Sequence, residues 1–172
     1  LPGLADSEGF VDMAWLFPFL LFLHVLGAIV AFGPTFSFSI IGAMGGAEPQ
    51  HANFATRVTH ALTSRRVLPI GFTMPITGLA IMAVRGINPF ARESWWLALA
   101  IVLYIAVYGY GFFVQSKLVE RVVEITSTLP PPGASGPPPE LQALIGRIQR
   151  GGIAMALLIV AIVFLMVVKP IV

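Results

Sequence analysis

From Met13 to Ala47 the chain carries no Asp, Glu, Lys or Arg, and His24 is the one ionisable residue in those 35 positions. A helix needs about 20 apolar residues to cross hydrocarbon, so this run predicts a first span over about residues 14–33. Gly33-Pro34 predicts a bend, with Phe36 to Met44 continuing beyond it. Three further apolar runs follow, Val67–Val84, Trp95–Gln115 and Gly151–Val168. At a rise of 1.5 Å per residue each is about long enough for a core of ~30 Å. The runs are continuous rather than alternating and far exceed strand length, which argues against a sheet. The expected fold is all-α, a four-helix transmembrane bundle forming one integral membrane domain.

The segments between the runs are polar on one side only. Ala52–Arg66 places Phe54, Val58, Ala61 and Leu62 at helical spacing, with Arg57, His60 and Arg66 on other faces. It reads as an amphipathic helix running into the second span. Ser116–Leu129, with Leu118, Val122 and Ile125, continues the third span in the same way, and Glu140–Arg150 leads into the fourth. Between them Pro130–Pro139 holds six prolines and no large apolar residue, which predicts an exposed linker.

The basic residues orient the chain. With the N-terminus outside, the inner segments hold Arg57, Arg65, Arg66, Lys117, Arg121, Arg147 and Arg150, and the outer ones Arg85, Arg92 and Lys169. That bias puts both termini outside. Trp95 and Trp96 then open the third span at the outer interface, where indoles prefer to sit. Charged residues are 10% of the chain against roughly 25% in soluble domains. A net charge of +2 with no basic stripe gives no reason to expect nucleic-acid binding. With no cysteine, disulfides and thiolate metal sites are excluded. Leu1–Asp12 lacks the basic region of a signal peptide, and the initial Leu points to a processed or incomplete start.

An imidazole inside a span is costly unless it has a use or a partner. His24 shares a helix face with Leu20, Leu21, Gly27, Ala28 and Ala31, whose small members let another helix or a flat ligand approach. Counting ten residues, about 15 Å, inward from Ala14, Val84 and Ser94 brings His24, Met74 and Tyr104 to one layer. A His–Met pair is an axial set for haem iron, so a b-type haem is one expectation for this layer. The plainer one is a hydrogen bond from His24 to Tyr104, to Tyr108, or to a carbonyl freed by Pro69 or Pro75. His60 lies about 36 Å from Val84 along a straight helix, too deep to serve the same iron. His60, Arg57, Arg65 and Arg66 are expected to meet lipid headgroups or a partner protein, and His51 to be solvated. All eight carboxylates fall outside the central spans, unlike the pattern of ion-coupled transporters, and no paired-carboxylate or Ser-His-Asp set exists. Gly42-Ala-Met-Gly-Gly46 reads as a bend, and Gly109 and Gly111 as packing positions.

Two stretches, Leu23-His-Val-Leu-Gly-Ala-Ile-Val30 and Phe164-Leu-Met-Val-Val-Lys-Pro170, resemble an uncharacterised family of bacterial four-helix membrane proteins. That family looks distantly similar to the copper-resistance D proteins and to the haem-dependent membrane protoporphyrinogen oxidase. The resemblance implies four spans in a bacterial inner membrane and matches His24 to a first-helix haem ligand. The lysine proposed as the second ligand in a later helix has no counterpart before Lys117. Copper handling by His and Met would need a clustered motif that this chain lacks.

The expected function is a small non-catalytic subunit that packs against, or stabilises, a larger membrane assembly, with lipids and other integral subunits as partners. The alternative is a haem-b membrane protein, a porphyrin-handling enzyme or electron carrier, with His24 as axial ligand. The orientation has a direct test in this cysteine-free chain. Cysteines placed at Ser7 and Ser135 should react with impermeant reagents from opposite sides of the membrane, and labelling of both from one side would contradict it.

Overall fold

The computed structural model describes residues 15–128 and 138–170. The expected span start at Ala14 and most of the Pro130–Pro139 linker fall outside them. The described residues contain no strand. They form four helices long and apolar enough to cross a membrane: α1 Leu16–Ala47, α2 Ala52–Arg85, α3 Arg92–Ser127 and α4 Pro139–Val168.

At 30 to 36 residues, these helices are about 45–54 Å long, well beyond the ~30 Å of hydrocarbon. The excess lies at the end away from the chain termini, the inner end in the expected orientation, where the helices run on from the spans without a loop. Their ends follow local chemistry. Pro139 opens α4, where a missing N–H costs nothing. Gly86 closes α2 with φ +61°, a conformation that suits a residue without Cβ.

Each helix packs antiparallel on the next. The outer end of α2 meets that of α1, with the Arg85 guanidinium 4.7 Å above the Phe17 ring. The outer ends of α3 and α4 meet where Lys169 lies 5.9 Å from the Trp96 ring. Inner halves join α2 to α3 through Asn53, which donates to Thr126 Oγ1 at 3.0 Å. They join α3 to α4 through Arg121 and Glu140, 3.4 Å apart.

These registers place three backbone irregularities at one depth. A 3-10 turn at Gly33–Ser37 interrupts α1, and π-turns at Thr63–Val67 and Gly111–Gln115 interrupt α2 and α3. Pro34 accounts for the first, as the sequence suggested. Pro69 accounts for the second: its ring would crowd the carbonyl four residues back, and a wider turn relieves the clash. At the same level of α4 lie Gly151 and Gly152. The molecule therefore divides into an outer spanning half and an inner half whose helices are amphipathic in α2 and α3.

The core is thin. Its buried residues include Ala31, Met74, Leu97, Ala100 and Val107 among the spans and Val119, Val122 and Leu141 in the inner half, and no large side chain among the described residues is fully enclosed. Close approach substitutes for bulk, as is usual between membrane helices. At Gly151 an added Cβ would lie 2.6 Å from the Tyr110 hydroxyl and 2.7 Å from Gln115 Oε1. Gln115 donates Nε2 to the Ile148 carbonyl at 2.9 Å, while its Oε1 is buried with no partner among the described residues. Gly151→Ala should therefore destabilise the bundle by about 1–3 kcal/mol. Gly109→Ala, with nothing within 4 Å of the new methyl, should be neutral or stabilising. Equal unfolding midpoints in detergent for the two variants would refute the close approach.

Candidate functional site

His24 points from α1 toward α2, and its partner there is Thr77: Nδ1 and Oγ1 are 2.7 Å apart. The Thr77 hydroxyl also reaches the Met74 carbonyl at 3.1 Å. One assignment satisfies all three groups, with Thr77 donating to that carbonyl and Nδ1–H donating to Thr77. The other tautomer would leave an Nε2–H donor unmatched in hydrocarbon. The neutral ring thus keeps Nε2 as an acceptor with no partner among the described residues. The ring lies against Gly78, whose added Cβ would be 3.5 Å from Cε1.

The depth count from the sequence is off by one helical turn. Thr77 and Gly78, not Met74, lie opposite His24. Met74 sits a turn deeper, buried, with its methyl filling the space beside Gly27 where a side chain would go. The reason is the register. Phe17, not Ala14, is level with the end of α2, so counting from Ala14 and Val84 shifts the pairing. Tyr104 lies deeper again, donating to the Gly71 carbonyl. The three residues proposed as one layer therefore form a staircase along α2.

The tyrosines do not bind His24; they hold α2 instead. Pro75 has no N–H, so the Gly71 carbonyl four residues back loses its helical donor. Tyr104 supplies that donor from α3. Tyr108 donates to the Leu68 carbonyl at 3.0 Å. The rings stack along α3, Tyr104 on Tyr108 at 5.9 Å and Tyr108 on Phe112 at 6.5 Å, with Phe32 of α1 edge-on to Tyr104. Gly71 makes this approach possible, since a Cβ there would be 3.0 Å from the Tyr108 ring. The sequence reading missed Thr77 and Gly71. Their signal is the face Gly71, Met74, Thr77 and Gly78, small or flexible residues at helical spacing opposite Gly27.

A haem held between His24 and Met74 does not fit this arrangement. The two side chains project from touching helices at different depths, and Met74 already closes the gap at Gly27. His24 alone presents a nitrogen suited to a metal, with Nδ1 held by Thr77 as second partners hold ligating imidazoles. Among the described residues no three His, Cys, Asp or Glu gather as a metal cluster.

The inner end carries the other two histidines and most of the charge. His60 lies 3.6 Å from Glu120 of α3, a pairing the sequence did not suggest, and His51 lies 3.7 Å from Glu48. Arg57, Arg65 and Arg66 are exposed and have no acidic partner among the described residues. On the opposite side, Pro89, Phe90, Arg92, Trp95 and Ala98 line an open apolar depression in the outer loop, remote from His24.

Four apolar helices whose polar contacts within the spans include a His–Thr pair and two tyrosine–carbonyl bonds define a multi-pass integral membrane protein. The chain belongs to the DUF2269 family of predicted integral membrane proteins, whose model matches residues 18–170. No curated protein and no solved structure matches it. The expected similarity to copper-resistance D proteins and to protoporphyrinogen oxidase is not shown by these comparisons.

The His24–Thr77 pair can be measured directly. His24→Ala and Thr77→Val should each lower detergent stability, and the double-mutant cycle should give a coupling of about 0.6 and at most about 1.7 kcal/mol. A coupling of zero would show that the two side chains do not share a bond.

Proposed function

We propose that the protein is a small non-catalytic subunit of a bacterial cytoplasmic membrane, oriented with both termini outside, that packs against or stabilises a larger membrane assembly. One observation carries this reading, the second half of α1. From Phe17 at the outer edge, a hydrocarbon thickness of ~30 Å ends near Phe36. Phe38–Ala47 therefore lies at the level where the other three helices are charged, yet it contains no charged residue. Its outward side shows Ile40 and Met44 at 63% and 61% exposure. Gly42 and Gly46, one turn apart, have nothing within 4 Å of where a Cβ would stand. An apolar helical face outside hydrocarbon is costly in water, and small residues on it let another backbone come close.

A second reading rests on the unmatched Nε2 of His24, which is free to serve as a single axial ligand to a haem b approached from lipid.

The two readings separate in one preparation. A photo-crosslinking residue at Met44 should give an adduct of one defined mass, while the same residue at Phe72, on the lipid-facing side of α2, should not. Gly42→Leu should abolish the adduct and speed migration on a native gel. A wild-type chain that migrates alone and forms no adduct at Met44 would end the subunit reading. The subunit reading expects no Soret band. A Soret band that vanishes in His24→Gln would establish the haem reading in its place.

A further inference from the structure

We infer that the inner edge of the bundle binds anionic phospholipids at two arginine pairs, Arg65–Arg66 of α2 and Arg147–Arg150 of α4. The acyl chains would follow the apolar stripes that rise from each pair. This does not rest on the subunit reading, because it concerns other helices and other faces.

The first observation is the charge balance. Among the described residues every acidic side chain of the inner half has a partner: Glu48 with His51, Glu120 with His60, and both Glu124 and Glu140 with Arg121. The four arginines are exposed and have no acidic partner among the described residues. The π-turn at Thr63–Val67 leaves both Arg65 and Arg66 on the outside of α2. Arg150 turns its Nε back to the Gly146 carbonyl at 3.1 Å, which carries the guanidinium away from the hydrocarbon.

The second observation is depth. From Arg66 to Arg85 of α2 is about 28 Å, and from Arg150 to the end of α4 about 27 Å. The pairs therefore stand one hydrocarbon thickness from the outer cations, at the plane of lipid phosphates.

The third is what lies above them. Ile153, Leu157 and Val160 continue the face of Arg150 at helical spacing, each more than half exposed. Phe72, Ile76 and Leu79 form the equivalent stripe on α2. A paired cation at the foot of an apolar stripe matches an anionic head with its chains. A zwitterionic lipid lacks the net charge, and a free phosphate lacks the chains.

Each basic side chain near an anionic surface contributes roughly a five-fold gain in affinity, so removing a pair should cost roughly thirty-fold. The purified, delipidated protein in neutral detergent is titrated with phosphatidylglycerol, phosphatidylcholine or inorganic phosphate. Native mass spectrometry counts bound lipid and tryptophan fluorescence follows thermal unfolding. Phosphatidylglycerol should bind and raise the unfolding temperature, less so at high salt. Arg65→Gln/Arg66→Gln and Arg147→Gln/Arg150→Gln should each lose about thirty-fold at one pair, while Arg65→Lys/Arg66→Lys keeps most of the binding. Equal binding of both lipids, or glutamine variants that bind like the wild type, would overturn the proposal. Displacement of phosphatidylglycerol by inorganic phosphate at equal concentration would overturn it in favour of a free-phosphate site. Should a glutamine variant fail to fold, the wild-type comparison of the two lipids decides.

Discussion

A backbone in hydrocarbon has no water to bond with, so every carbonyl freed from a helix must find a donor in the protein. Pro75 breaks the ladder inside the spanning half of α2, and the arrangement of three helices follows from the repair. Tyr104 reaches across from α3 to the Gly71 carbonyl. Gly71 must be bare for the neighbouring Tyr108 ring, which a Cβ there would meet at 3.0 Å, and the aromatic stack from Tyr104 to Phe112 forms along the same line. In α1, Thr35 donates to the Phe32 carbonyl at 2.6 Å beside Pro34. The bond from Tyr104, unlike the one within α1, fixes where α2 and α3 touch, because a donor on one helix must meet a particular carbonyl on the next.

The level of these breaks has a second consequence. Above it, burial is sparse, and the exposed Phe22, Ile29, Val102 and Leu157 suit contact with lipid chains. Below it, the helices leave hydrocarbon and association changes character. Val119, Val122 and Leu141 make a small core, flanked by Asn53 on Thr126 and Arg121 between Glu124 and Glu140. Exposed ion pairs of this kind add little each. The inner half therefore depends on its apolar seam and on continuity with the spans above. Two π-turns and one 3-10 turn sit where the two regimes meet, and beyond the two π-turns α2 and α3 change from a lipid pattern to an amphipathic one.

What could be read from the sequence was whatever depends on neighbours along the chain. Continuous apolar runs gave the four helices, and apolar residues at helical spacing gave the inner continuations. Pro34 announced the bend. His24 stood out as the sole ionisable residue of a long run, and it does carry a polar contact. Its partner was not legible, because pairing between helices depends on register. The register shows in Arg85 standing above the Phe17 ring and Met74 beside Gly27, contacts outside any single segment. An error of one turn was enough to exchange Thr77 for Met74. His60 and Glu120 illustrate the same limit, sixty residues apart and joined only by the packing of α2 on α3.

The inner half also shows why function was harder to read than fold. Hydropathy treats Phe38–Ala47 as more of the first span, since the segment has the composition of one. Geometry separates the two, because the helix has already used its hydrocarbon length by Phe36. At that same depth α2 and α4 expose arginines with no acidic partner among the described residues, and α1 exposes Ile40, Met44 and bare glycines. Lipid phosphates suit the first kind of surface and have nothing to offer the second, which calls for another apolar backbone at close range. The proposals thus assign different neighbours to different helices for one reason. At the depth where hydrocarbon ends, a helix face must be matched by charge or covered by protein, and the side chains of each helix decide which.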